Sequence, residues 1–93
     1  MVRNDIFLIY YNQNDYRKTR ICISVSKKNG IAVKRNKIKR QIREMVTDIF
    51  DFSLQYDFVI VVKKEFVENE FSINKEKLNE LYLKLISKLR SEL

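Results

Sequence analysis

Proline, histidine and tryptophan are missing from these 93 residues, and glycine and cysteine occur once each. Each absence closes off a chemistry. With no histidine and only Cys22, a zinc site of the ordinary nitrogen–sulfur kind cannot form. No imidazole is available as a general base, which removes Ser-His-Asp and Cys-His arrangements. A single glycine, Gly30, excludes a Walker loop and a dinucleotide fingerprint. Cys22 has no partner for an internal disulfide and suits a reducing, cytoplasmic compartment. Ser24-Val25-Ser26-Lys27 matches a Ser-x-x-Lys pattern, but it falls in a predicted strand without companion motifs. No residue is therefore expected to be catalytic by itself.

Long apolar runs are missing as well. Ile6 to Tyr11 and Phe58 to Val62 are far too short to span a bilayer, so no membrane partner is expected. The opening Met1-Val2-Arg3-Asn4-Asp5 is polar, and the apolar run after it lacks a small-residue cleavage site, so no signal peptide is read. At 45% hydrophobic and 33% charged, residues 1–93 are expected to form one small globular domain with a modest core.

The most telling absence is local. Between Arg17 and Arg43 there is no aspartate or glutamate, against eleven lysines and arginines. That segment carries +11 and the rest of the chain −4, which together make the net +7. Such sorting builds positive potential at one place, as a polyanion requires. A solvated, charge-rich helix face is the plainer explanation of a basic run.

Periodicity gives the elements. Ile6 to Tyr11 is β-branched and aromatic, and Thr19 to Ser26 alternates apolar Ile21, Ile23 and Val25 with small or polar residues. Across the Asn12–Asp15 turn cluster the two are predicted to pair as an antiparallel hairpin. Lys27 to Gly30 is a connection, with glycine where a tight turn would want one. From about Ile31 to Phe52 the spacing is helical, with Ile38, Ile42, Met45, Val46, Ile49 and Phe50 in one apolar stripe. Phe58 to Val62 reads as a central strand covered on both faces. An acidic loop then leads to a helix from Asn74 as N-cap, with Glu76 in its first turn. Its buried side is Leu78, Leu81, Tyr82, Leu85, Leu89 and Leu93. The order describes an α/β (α+β) two-layer sandwich: a small sheet with a β-hairpin, a long basic helix, a third strand and a C-terminal helix.

On the first helix, Lys39, Arg40 and Arg43 gather on one flank of the stripe, taking about 100° per residue. Arg35 projects within the apolar sector one turn ahead of Ile38, so its stem should pack and its guanidinium reach the rim, either snorkelling to water or pointing into a cleft between helix and sheet. Arginine can fork across two phosphate oxygens, whereas Lys37 and Lys39 act as point charges. Asn36 adds an amide for phosphate, sugar or a metal-bound water. Phe7, Tyr10, Tyr11 and Tyr16 on the hairpin are candidates to stack unpaired bases, with core packing the alternative for each. Aromatics on a sheet beside a basic helix favour RNA over duplex DNA. A DNA-binding regulator would need a helix-turn-helix partner that the pattern lacks. A ribosomal-type structural RNA-binding protein remains the alternative.

The stretch from Val25 to Glu44 closely resembles the signature of the bacterial ribonuclease P protein family, which reads Ser-Lys-Lys, Gly-x-Ala-Val, Arg-Asn-Arg-x-Lys-Arg and Arg-Glu. Tyr56-Asp57-Phe58-Val59-Ile60-Val61 resembles the family's strand after the helix, and the likeness covers nearly the whole chain. The resemblance implies a subunit of a holoenzyme that removes the 5′ leader of precursor tRNA. A catalytic RNA would then supply the active site and hold most of the Mg²⁺. It places Lys27, Lys28, Lys34, Arg35, Asn36, Lys37, Lys39, Arg40 and Arg43 against RNA, with Tyr10 and Ser26 in the leader cleft. It also implies a left-handed crossover, against the general right-handed rule. Two departures stand out. Lys37 replaces a usual arginine, and the chain opens directly in the hairpin, without the family's N-terminal helix and short strand. Leader binding, stability and a tendency to associate are the properties that second departure is expected to affect.

Overall fold

The structure is a computed structural model and describes residues 1–92. Strands β1 (Val2–Arg3), β2 (Phe7–Gln13) and β3 (Arg20–Val25) come first, then a 3-10 turn (Lys27–Asn29) and helix α1 (Ala32–Ile49). Strand β4 (Tyr56–Val62) and helix α2 (Phe71–Ser91) complete the chain. The sheet order is β1-β2-β4-β3, with β2 antiparallel and β3 parallel to β4. This is the expected two-layer α+β arrangement, and α1 forms the crossover between the parallel pair.

The strand pairing differs from the expected hairpin. β2 and β3 are not neighbours, because β4 lies between them. The segment after β2 reaches across to β4 instead. Asn14 N donates to the Gln55 carbonyl at 3.0 Å, and Asn14 Nδ2 to Asp57 Oδ1 at 2.7 Å. The most apolar strand thus takes the centre, where both its edges are paired. The true hairpin is β1–β2, so the opening residues do form a short strand. Asn4 Oδ1 accepts from Ile6 N and Phe7 N at 3.0 and 2.8 Å, closing that turn as an Asx motif. Its Nδ2 donates to the Lys77 carbonyl at 3.1 Å, tying the hairpin to α2.

Register sorts side chains into two faces. Ile9, Ile60 and Ile23 share one row on the helix side, flanked by Phe7, Val62 and Val25 and by Tyr11, Phe58 and Ile21. Against them pack Ile38, Ile42, Met45 and Val46 from α1 and Leu78, Leu81, Tyr82, Leu85 and Leu89 from α2. Among the described residues, no helix covers the opposite face. Its rows are Leu8, Val61, Ser24; Tyr10, Val59, Cys22; and Asn12, Asp57, Arg20. β4 is therefore covered on one face only, and its Val59 and Val61 stay half-buried.

Element ends shift in instructive ways. α1 stops at Ile49 rather than Phe52, because Phe50 turns inward against Phe58 and Tyr82, with ring centroids at 5.6 and 4.2 Å. Phe52 is left outside. α2 begins at Phe71, with Glu70 at the N-cap position and no side-chain cap bond, so Asn74 is not the N-cap and Glu76 lies beyond the first turn. Buried Asn74 instead donates from Nδ2 to the Val67 carbonyl at 2.7 Å, fastening the preceding loop to the helix. That loop also buries Phe66 edge-on against Phe7 at 5.9 Å. Leu93 lies outside the described residues. Among the described residues, no helix is long and apolar enough to cross a membrane.

Candidate nucleic-acid interface

The basic segment begins at a turn the sequence shapes closely. Ser26 Oγ accepts from Lys28 N at 3.2 Å, and Asn29 N and Gly30 N donate to the carbonyls of Ser26 and Lys27 at 2.9 and 3.2 Å. Gly30 has φ of 118°, a conformation that side chains rarely adopt. Buried Asn29 donates from Nδ2 to the Lys63 carbonyl at 3.0 Å, so the turn is anchored to the end of β4. Lys27 and Lys28 are thereby held exposed on a fixed backbone.

α1 follows without a conventional start. Its N-cap, Ile31, makes no side-chain hydrogen bond, and no acidic residue occupies the first turn. The first amides of the helix keep their donors and their share of positive dipole. An anion is their natural complement.

Along α1, Arg35, Lys39 and Arg43 form an i, i+4, i+8 row beside the buried stripe, with Asn36 and Arg40 one position further out. Arg35 and Lys39 are half-buried, while Asn36, Arg40 and Arg43 are exposed. Arg35 Nε is buried without a partner, so the stem packs, as its position in the stripe predicts. Lys34 and Lys37 project from the other flank, toward the side of Glu44 and Asp48. The family resemblance implies RNA contact for all of these cations, and the helix sets them in two rows.

Among the described residues, no carboxylate pairs with the ridge. The ion pairs among the described residues are Arg20–Asp57 at 2.5 Å, Lys75–Asp48 at 2.8 Å and Lys77–Asp5 at 2.5 Å. None involves a cation of the turn or of α1. Arg20 is the member of the basic segment that is spent internally. Its guanidinium, first, and the Asn14 amide hold the Asp57 carboxyl down to about 2, and Arg20 is itself raised by that carboxylate.

The aromatic candidates separate cleanly. Phe7 is wholly buried and cannot stack a base. Tyr11 turns to the helix side, near Tyr56 at 6.4 Å, and its hydroxyl donates to Glu92 Oε1 at 3.3 Å. Tyr16 carries the Arg20 guanidinium 3.9 Å from its ring centre. Tyr10 is left, 49% exposed at the middle of the open sheet face. Ser26 lies beyond the end of β3, its hydroxyl already engaged in the turn. Sequence reasoning overlooked the uncapped start of α1, although Ile31, rather than Ser, Thr, Asp or Asn, was visible immediately before Ala32.

The family model for Ribonuclease P matches residues 1–86. A Ribonuclease P protein component of Mesoplasma florum is 44% identical over 86 residues, covering 90% of this chain and 78% of that one. Its counterpart in Petrotoga mobilis is 41% identical over 86 residues, covering 91% and 73%. The RNase P protein of Staphylococcus aureus superimposes with a TM-score of 0.71 at 32% identity, covering 91% of this chain and 78% of that one. That of Thermotoga maritima gives 0.69 at 26% identity, covering 94% and 80%. With its basic ridge, its open sheet face and these relatives, the chain belongs to the ribonuclease P protein family.

Proposed function

We propose that this chain assists the removal of the 5′ leader from precursor tRNA by gripping the catalytic RNA with its ridge and the leader with its open sheet face. The observation that carries the reading is the unneutralised set Lys27, Lys28, Lys34, Arg35, Lys37, Lys39, Arg40 and Arg43 on a turn and helix fixed to the sheet. Fixed cations bind a polyanion without first being ordered, so less of the attraction is lost to entropy. The uncapped amides of α1 supply a further phosphate seat beside Lys27 and Lys28.

The leader belongs on the other layer. Tyr10, in one row with Val59 of the adjacent strand and Cys22 beyond it, offers a ring on a partly apolar sheet surface, which suits an unpaired base. Ser26 borders that surface where β3 meets the basic turn.

The bond-breaking chemistry is assigned to the RNA. Mg²⁺ is a hard cation that takes oxygen ligands, and the ridge offers it only the neutral amide of Asn36. These residues do not fit a protein-held metal, so the ion is placed with RNA phosphates. The cations of α1 contribute instead by neutralising phosphates that would otherwise require more Mg²⁺.

Reconstitution with the host's ribonuclease P RNA tests the proposal. The protein alone should cleave nothing, and with the RNA it should lower the Mg²⁺ needed to process precursor tRNA. Absence of stimulation at near-physiological salt defeats it.

A further inference from the structure

The sheet ends at β3, which among the described residues has β4 on one side and no strand on the other. Alternate amides and carbonyls along Arg20–Val25 therefore point out of the ladder. Between this free edge and α1 lies a notch of about 480 Å³, lined by Ile21, Ile23, Arg43, Thr47 and Phe52 among others. Phe52 is 47% exposed at the mouth of this notch. Its backbone is nonetheless fixed. The Phe52 carbonyl accepts from Thr19 N at 3.4 Å, and Thr19 Oγ1 donates its one proton to the Leu54 carbonyl at 2.5 Å, with the Asp51 carbonyl 3.3 Å away. Those bonds clamp the residues on either side of Phe52 to the start of β3.

Three kinds of contact thus meet in one place. The phenyl ring offers a stacking face, Arg43 offers a phosphate fork, and the strand edge offers donors and acceptors to the rim of a base. A volume of this size lies within the range of small-ligand sites. We propose that the notch holds one unpaired nucleotide of the partner catalytic RNA, an inference that rests on the RNA-binding reading above. The charge pattern selects that strand over the leader. Arg43 ends the Arg35–Lys39–Arg43 row, so a phosphate backbone following the ridge arrives at the notch. Tyr10, the leader candidate, stands on the opposite face of the sheet.

The test compares Phe52→Ala and Phe52→Trp with the unaltered protein in assembly with the host's ribonuclease P RNA. Loss of one base stack should weaken assembly of Phe52→Ala roughly tenfold. The salt dependence should keep its slope, because no cation is removed. Phe52→Trp, which keeps a stacking face, should restore assembly. The loss should be the same whether the holoenzyme is presented with leader-bearing or leaderless tRNA. Unchanged assembly of Phe52→Ala, or a loss confined to leader-bearing substrate, overturns the proposal. A second measurement does not depend on any variant folding. Methyl resonances of Ile21 and Ile23 in the unaltered protein should shift on adding the RNA, and their constancy overturns it equally. Arg40→Ala, tested alongside, separates the two levels. If it too leaves assembly intact, the RNA-binding reading fails; if it weakens assembly while Phe52→Ala does not, only the notch fails.

Discussion

The side-chain amide of Asn29 donates to the Lys63 carbonyl at 3.0 Å, across the gap between the basic turn and the end of β4. Lys63 in turn donates from Nζ to the Asn4 carbonyl at 2.7 Å, so the turn, the central strand and the β1–β2 hairpin share one chain of contacts. Asn29 is 6% exposed, and removing it leaves a carbonyl without its partner. Asn29→Ala should cost about 1–3 kcal/mol of stability, measured by urea unfolding. Affinity for RNA should fall as well, because Lys27 and Lys28 lose their fixed mount. An unchanged unfolding midpoint would show that the turn is held by other means.

Gly30 makes a second, independent demand on the same turn. At φ of 118° a side chain is strained, and an added Cβ would stand 2.8 Å from Lys34 Cδ. The lysine can swing away, but the backbone strain remains. Gly30→Ala is expected to lose on the order of 1–3 kcal/mol by denaturant titration. Lys34→Ala combined with it should relieve the crowding and leave most of that loss in place. Full rescue by the double variant would mean that contact, not backbone conformation, sets the cost.

Acid should loosen the far end of the sheet. The Arg20 guanidinium, followed by the Asn14 amide, holds the folded Asp57 carboxyl at about 2, below its ordinary 3.8. As pH falls, the unfolded chain takes up this proton first, so protonation favours unfolding. The stabilisation is complete above about 3.8 and drains away as pH approaches 2. Asp57→Asn should be less stable than the unaltered chain at neutral pH and should lose less of its stability between pH 5 and pH 2.5. Urea midpoints at the two pH values check both statements. Equal acid sensitivity of the two proteins would place the titrating groups elsewhere, with Asp5 beside Lys77 the next to examine.

What was legible in the sequence follows from which interactions are local. The stripe of α1 is a periodicity of nearest turns, so Ile38, Ile42 and Met45 were assigned to the core correctly, as was the packed stem of Arg35. The insertion of β4 between β2 and β3 is non-local. Two strands in succession with a turn cluster between them favour a hairpin, and nothing in residues 6–26 announces that Asn14 will bond to Gln55 and Asp57. Phe7 and Tyr10 illustrate the limit at single-residue scale. Three positions apart on one strand, they point to opposite faces, and only the register shows which face the helices cover. Asn74 misled for a related reason. Its amide satisfies Val67 from within the helix, a bond that exists only once the Phe66 loop has folded back. At the interface, residue types and the flank shared by Lys39, Arg40 and Arg43 were readable from helical periodicity, whereas the notch beside Phe52 required three dimensions.

Arg40 and Tyr10 stand on different layers, and their variants should therefore fail differently. Arg40 is exposed on α1 with no carboxylate partner among the described residues, so Arg40→Ala removes a free cation and little packing. Binding to the catalytic RNA should weaken, and the slope of log affinity against log salt should shrink by roughly 0.7–0.9. Tyr10 carries no charge and reaches only the open face, so Tyr10→Ala should leave that slope alone. Its loss should be seen only with precursors that bear a leader, at about 1–3 kcal/mol if one base stacks on the ring. Affinities of each holoenzyme for leader-bearing and leaderless tRNA, across a salt series, measure both effects at once. Equal losses at the two positions, or a leader-dependent loss at Arg40, would show that one strand of RNA crosses both layers.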